Sequence, residues 1–542
     1  MGLDDWLLTA AERGNPATLI DARHDDGAAW SCGNQVRPLV HGRSYFAELI
    51  DAVRRQQRGD LLLFTDWRGD PDEPLECEPG GSVGEVLCAA ASRGVVVKGL
   101  VWRSHLDRLQ FSERENRHLG EEIEEAGGEC LLDMRVRPGG SHHQKFVVLR
   151  HQDRPELDVA YVGGIDLCHS RHDDADHAGD PNPQPMAAAY GPRPPWHDLQ
   201  VAIRGPGVGD VEAVFRERWE DPSPLSRSLP GRARQLIHRQ DTVADPLPAQ
   251  PADPAPVPGG THTVQLLRTY PAMRHGYPFA PQGERSIARG YRKALARARS
   301  LIYLEDQYLW SAPIVSSFAE ALAREPHLRM IAVVPLHPDQ DGKMAGPMNL
   351  LGRIEALRQL RAAGGERFAV YGVENHAGTP VYVHAKACVI DDVWATVGSD
   401  NVNRRSWTHD SELSCAVLDS AADPREPLDP GGLGDLARVY PRELRLTLGA
   451  EHLDLEPRDP DDGGGPDVLC DPAEAFRAFA ASAAALDAWH TAGRTGPRPP
   501  GRLRHYRAPT LSRTATLLST PLQRLIADPD GRPRALRRTD TF

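Results

Sequence analysis

A histidine and a lysine two residues apart recur twice in this chain, as His143-Gln144-Lys145 and His384-Ala385-Lys386. On a β-strand, residues i and i+2 share a face, so each pair points into one cleft while Gln144 or Ala385 points away. The pairing suits attack on phosphorus, because imidazole is a competent nucleophile near neutral pH and an ammonium offers fixed positive charge to a phosphoryl oxygen. The second copy continues as VHAKACVIDDVWATVGSDN, with Asp391, Gly398, Ser399 and Asn401 downstream, and the first reaches Gly163, Gly164 and Asp166. Glycines on the neighbouring strand let a backbone or ligand approach closely. Two such sites facing each other supply one histidine for attack and one for protonating the leaving group. Only five of the 63 basic residues are lysines, and two of those five close the His-x-Lys triplets.

The elements that must carry these residues come in the same order twice. A helix is predicted over Ser44–Gln57 and again over Ser286–Ser300. An apolar strand follows at 61–67 and 301–310, a β-branched strand at 94–102 and 328–336, and then the triplet running into a further strand. Alternating strands and helices imply an α/β sandwich in each half, and the shared order implies internal duplication. The Pro/Ala/Asp stretch 241–260 reads as an extended linker. The expected division is an N-terminal segment over 1–29, a first lobe over 30–235, a linker over 236–261, a second lobe over 262–450 and a C-terminal extension over 451–542. The extension is expected to be helical around 472–490 and loosely ordered over its last forty residues.

Composition narrows the class. With 542 residues, 40% hydrophobic and 26% charged, the chain has the make-up of a globular protein large enough for two lobes. A net charge of -13 argues against a general nucleic-acid surface, whose affinity comes from phosphate neutralisation. No apolar stretch approaches the about 18–20 residues of a membrane span. The first residues carry Asp4 and Asp5 where a secretory signal needs basic groups, and Trp6 breaks the myristoylation pattern. Eight scattered cysteines without a CxxC read as reduced, mostly buried thiols, which makes the cytoplasm the expected location. His169, His172, Asp173, Asp174, Asp176 and His177 have metal-ligating types, but their irregular spacing reads as a solvated loop, so no metal is expected. GPGVG at 205–209 reads as a turn, and Trp67, Trp196, Tyr308, Trp310 and Trp407 are candidates for a headgroup or acyl pocket.

The string from His384 to Asn401 fits the HxK(x)4D(x)6GSxN signature of the phospholipase D superfamily at every defined position. GGIDLCHSRHD, PWHDLQVAIRGPGVGDVEAVFRERW, IYLEDQYLW and GSDNVNRRSWTHDSEL also resemble eukaryotic-type phospholipase D catalytic cores, over roughly residues 30–230 and 262–420. The resemblance implies the phospholipase D fold and a two-step phosphodiester exchange that needs no metal or cofactor. His143 would attack phosphorus to form a phosphohistidine, and His384 would protonate the departing alcohol and then activate water or a second alcohol. Lys145, Lys386, Asn401 and Ser399 would hold phosphoryl oxygens, beside Gly163, Gly164 and Asp166, while Asp391 completes the motif in a mainly structural role. Asp198 and Glu412 would orient the two rings across the halves, with Asp410 competing with Glu412.

There are two departures: Arg150 stands where the first motif is due an aspartate, leaving Asp153 or Asp158 to substitute, and Asp166 replaces an asparagine. The implied activity is hydrolysis or transphosphatidylation of glycerophospholipids, at a membrane surface to which the protein binds peripherally. A cardiolipin synthase-like transferase, a nuclease and a catalytically impaired scaffold are the alternatives. The roughly thirty residues before the first lobe leave no room for the PX, PH or C2 modules of many eukaryotic relatives. A cytoplasmic enzyme of this kind endangers its own membrane, so regulation, selectivity for a minor lipid or delivery into another cell as an effector is expected. The duplication lets one chain complete the site, whatever its oligomeric state.

Overall fold

The computed structural model describes residues 2–542 apart from 25, 77, 105–112, 227, 239, 341–344, 456–466, 510, 512–515, 517–519 and 521–522. The first half contributes β1 (Ser31–Val40), β2 (Leu61–Asp66), β3 (Val96–Trp102), β4 (Glu129–Asp133), β5 (Phe146–Arg150), β6 (Val159–Gly163), β7 (Trp196–His197) and β8 (Leu199–Arg204). The second contributes β9 (His262–Tyr270), β10 (Glu284–Arg285), β11 (Leu301–Asp306), β12 (Arg329–Val333), β13 (Phe368–Glu374), β14 (Pro380–Val383), β15 (Lys386–Ile390), β16 (Trp394–Gly398) and β17 (Glu412–Asp419), and β18 (Leu503–His505) comes from the C-terminal region.

The two sheets repeat one topology. Strands run β1-β8-β6-β5-β2-β3-β4 in the first, with β2, β3 and β4 parallel and the rest antiparallel. The second runs β9-β17-β16-β15-β11-β12-β13 with the same sense at every pairing. Strand β18 extends its far edge, antiparallel to β13. This is the two-lobed α/β duplication expected from the order of elements.

The strands are apolar on both faces because both faces are covered. Helices such as Gly42–Arg54 and Ser286–Arg297 lay their apolar stripes on the outer faces, where Phe46 and Leu49 meet Phe64 and Val147, and Tyr291 and Leu295 meet Leu304 and Cys388. The inner faces share a single core, in which Leu63, Val148, Val162 and Val201 of the first sheet join Val397, Leu413, Cys415 and Val417 of the second.

Three regions differ from expectation. Residues 523–542 are packed against the second lobe: Asp528 accepts hydrogen bonds from the Ser311 hydroxyl and the Arg404 N–H, each at 2.7 Å, and Phe542 lies edge-on to Trp407. The 241–260 segment is extended but pinned, with the Trp219 indole donating to the Asp245 carbonyl and Val257 N–H to the Gly33 carbonyl. His177 and Asp173 are buried rather than solvated, because the segment folds inward between the lobes. The seven described cysteines are free; five are buried and Cys32 is exposed. Among the described residues, no helix is long and apolar enough to cross a membrane.

Candidate active site

Two short backbone clamps between the lobes build the site. Beside the first triplet, His143 N–H donates to the Ser411 carbonyl at 2.9 Å and Ser411 N–H to the Ser141 carbonyl at 3.1 Å. Beside the second, Tyr382 N–H donates to the Pro195 carbonyl and His384 N–H to the His197 carbonyl, both at 2.8 Å, within the parallel pairing of β14 with β7. Each clamp sets a triplet histidine one residue away from a carboxylate of the other lobe.

The side chains complete the exchange. His143 Nδ1 lies 2.8 Å from Glu412 Oε2, and His384 Nδ1 lies 2.6 Å from Asp198 Oδ2. Each imidazole has its Nδ1 occupied, which leaves Nε2 for the space ahead of it. Both rings line one open cavity of about 170 Å³, together with Trp67, Arg68, Asp166, Arg171, Trp196, Tyr308 and Tyr382.

Cations stand beside both rings. Burial pushes His143 well below the usual imidazole range, and Lys145 and Lys386 push it further. Burial likewise depresses His384, followed by Lys386, Arg171 and Lys145. Both rings are therefore neutral near pH 7. Lys386 itself is pushed down to about 7 by burial, with Lys145 adding to the effect. Burial and the neighbouring Asp410 raise the Glu412 carboxyl, against hydrogen bonds from Ser399 and Ser406 and the charge of Lys145. An anion entering here meets cations that the protein has only partly neutralised.

The remaining candidate residues fall in several places. Ser399 donates its hydroxyl to Glu412 Oε2 at 2.6 Å, so it supports the carboxylate. Asp410 accepts from the Ser141 hydroxyl at 2.7 Å and pairs with Arg405, which leaves His143 to Glu412. Asn401 is buried, and its Oδ1 has no hydrogen-bond partner among the described residues. Asp166 accepts the Trp67 N–H at 3.0 Å and pairs with Lys145 at 3.3 Å.

Gly163 and Gly164, read from sequence as part of a substrate face, make room for Gln200 and for the Asp198 carboxylate. A Cβ on Gly164 would meet Asp198 Oδ1 at 2.2 Å, and one on Gly163 would meet Gln200 Oε1 at 2.4 Å. Asp391 lies at the opposite end of β15 from the triplet, roughly 17 Å of strand away, and accepts the N–H groups of Arg299, Ser300 and Leu301. It ties a hairpin to the start of β11 and stands outside the cavity.

Arg150, at the matching point of the first lobe, is also structural. It is buried between Asp158, at 2.8 Å, and Glu212, and it also donates to the Ala252 carbonyl. Asp158 thus answers Arg150 rather than replacing the missing aspartate. The hairpin-to-loop tether runs in reverse here, from Gln152 N–H of the hairpin to Asp60 Oδ1 just before β2, at 2.9 Å.

Sequence reading missed Arg171. Its guanidinium sits 4.0 Å over the Trp196 ring and 3.7 Å from Asp166, in the cavity wall. The only available signal was an arginine five residues after Asp166 in GGIDLCHSR. Of the aromatic candidates, Trp67, Trp196 and Tyr308 reach the cavity, Trp310 stacks on Tyr308 at 3.8 Å, and Trp407 belongs to the second-lobe core.

Two family models match the chain. Residues 73–321 match the family model described as phospholipase D, and residues 291–423 match the one described as cardiolipin synthase, PLD-like domain. Together the two matches place phospholipase D superfamily domains across residues 73–423. Among curated members, phospholipase D alpha 1 of Oryza sativa subsp. japonica is 26% identical over 554 residues, covering 77% of this chain. Phospholipase D alpha 1 of Arabidopsis thaliana is 25% identical over 548 residues, with the same coverage. The matched region spans 65% of the length of these relatives. Similar solved structures include phosphatidylserine synthase of Haemophilus influenzae Rd KW20, at 14% identity and a TM-score of 0.46, covering 71% of this chain and 82% of that one. The phospholipase D family member Nuc of Salmonella typhimurium has 15% identity and a TM-score of 0.21, covering 29% of this chain and 84% of that one.

Proposed function

We propose that this protein is a phospholipase D-type phosphodiesterase acting on glycerophospholipids, hydrolysing them to phosphatidic acid and transferring the phosphatidyl group to alcohols. The observation that carries this reading is the pair of imidazoles on one cavity, each held at Nδ1 by a carboxylate of the opposite lobe.

In the first step, His143 Nε2 attacks phosphorus. A P–N bond forms as the P–O bond to the headgroup breaks, and His384 passes a proton to the departing oxygen. His384 gains that proton when substrate binds, because the phosphodiester anion offsets the Lys386, Arg171 and Lys145 charges that depress it. In the second step, neutral His384 takes a proton from water or an alcohol as its oxygen attacks phosphorus. The P–N bond breaks and His143 is restored. Glu412 and Asp198 fix each ring and steady the positive charge that develops on it. The protein works peripherally at a lipid surface, and the aromatic wall of Trp67, Trp196, Tyr308 and Tyr382 receives the apolar part of the substrate next to phosphorus.

The test is headgroup release from mixed phospholipid vesicles with a primary alcohol present, comparing wild type with His143→Ala. Free headgroup together with phosphatidyl-alcohol, both lost in the variant, is the expected result. Release without any transfer product would remove the phosphatidyl-enzyme intermediate. Absence of product from every lipid would overturn the lipid assignment.

A further inference from the structure

Behind Asp198, the carboxylate that positions His384, lies a group of ligating side chains that the phosphodiester chemistry does not use. His41 Nε2 is 2.8 Å from Glu451 Oε2, His177 Nε2 is 3.1 Å from Glu451 Oε1, and His197 Nδ1 is 3.3 Å from the same oxygen. All four ligand atoms lie within 4.8 Å of one another, and the three histidines are buried. The residues come from four separate segments: the end of β1, the 164–195 loop, β7, and the helix Val439–Leu453.

Hydrogen-bond accounting shows what the group lacks. His177 Nδ1 faces the Trp196 carbonyl oxygen at 3.1 Å, and its Nε2 faces Glu451. His197 Nε2 faces Glu305 Oε2 at 2.6 Å, and its Nδ1, 3.3 Å from Glu451, has no hydrogen-bond partner among the described residues. His177 stands between two acceptors, whereas a neutral imidazole has one N–H to give, and His197 Nδ1 is a buried nitrogen left unpartnered. A cation bound among the four groups answers both.

Geometry favours the ion. Three imidazoles bonded at about 2.0–2.1 Å to one tetrahedral zinc hold their ring centroids about 5 Å apart. The observed centroid separations are 4.8, 5.0 and 5.7 Å for the three pairs of His41, His177 and His197. The outer nitrogens of His177 and His197 bond to a backbone carbonyl and a carboxylate, the second-shell partners that orient ligating histidines. His41 (φ 65°) and His177 (φ 52°) both occupy left-handed backbone conformations, which are costly for non-glycine residues and are held here by the surrounding structure.

We propose that His41 Nε2, His177 Nε2, His197 Nδ1 and the Glu451 carboxylate form a closed site for one structural divalent transition ion, zinc by the fit of an N₃O donor set. The ion binds segments of the first lobe to the helix Val439–Leu453. It also fixes His197, the residue before Asp198, and so helps to hold the carboxylate on which His384 rests. It takes no part in the phosphodiester exchange, and the proposal stands whether or not the lipid assignment does.

The test uses the full chain. Metal content is measured on protein purified without chelator, and protein dialysed against a strong chelator is then titrated with Zn²⁺ and with Co²⁺. The expected result is one zinc per chain, intense visible bands of tetrahedral cobalt, and a melting temperature that rises until one equivalent is bound. Glu451→Gln and His41→Gln, each confirmed as folded by circular dichroism, should lose stoichiometric uptake. Wild-type protein with no metal on isolation and none after titration would overturn the site, whatever the variants do. Equal uptake by wild type and both variants would also overturn it, since the ion would then sit elsewhere.

Discussion

At the residue scale, the site consists of two imidazoles, each with its Nδ1 held by a carboxylate and its basicity suppressed by burial and neighbouring cations. Glu412→Gln and Asp198→Asn keep side-chain volume but remove the charge that steadies an imidazolium. Each should lower kcat by about 10²–10⁴-fold with the melting temperature nearly unchanged, measured on vesicles at saturating lipid. Arg171 gives a prediction with a definite sign. It is among the charges that push His384 down, so Arg171→Gln should raise the pKa of that ring. The alkaline limb of kcat, where the proton donor is lost, should then move to higher pH. An unmoved limb would mean that His384 is not the donor. The His-x-Lys triplets were readable as a motif, but the strand period expected to set them does not hold them: His143 and Lys145 precede β5, and His384 lies between β14 and β15. The reason for Gly163 and Gly164 was not readable, because the atoms they make room for belong to Gln200 and Asp198 on the next strand.

At the element scale, both hairpins after the triplets are tethered to the loop that precedes the neighbouring strand, but with opposite polarity. Asp391 reaches from hairpin to loop in the second lobe, and Asp60 reaches from loop to hairpin in the first. Arg150 therefore fills its own position, between Asp158 and Glu212. Restoring the motif with Arg150→Asp should destabilise the protein by about 3–5 kcal/mol, because it leaves two buried carboxylates beside a third. Urea denaturation of the variant checks this, and a gain in stability would contradict the tether described. The order of helices and strands was legible from hydrophobic periodicity. The polarity of the tether was not, since Asp60 lies 90 residues before Arg150 and nothing local to the motif marks it.

At the scale of the whole molecule, the lobes share one core and exchange the carboxylates that orient their histidines. Neither half has a complete apolar interior alone, so the chain should unfold in a single thermal transition. Leu413→Ala, in the shared core, should cost about 2–5 kcal/mol and move that whole transition. Calorimetry showing two separable transitions, with only one displaced, would make the lobes independent. The C-terminal residues join the same unit through Asp528 and Phe542, although their Arg/Pro/Thr-rich composition reads as loose.

By itself the sequence determined what is carried by local pattern: two α/β lobes in repeated order, two His-x-Lys triplets leading into strands, and a family resemblance that named the partner carboxylates. Tertiary structure alone decided which groups meet. Glu412 rather than Asp410 touches His143, Asp391 and Arg150 stand away from the cavity, and Arg171 stands in its wall. His41, His177, His197 and Glu451 converge although hundreds of residues separate the first from the last. The physical reason is common to all of these. Strand and helix periods are set by neighbours along the chain, whereas a buried charge is settled by partners that become neighbours only once the two sheets close on each other.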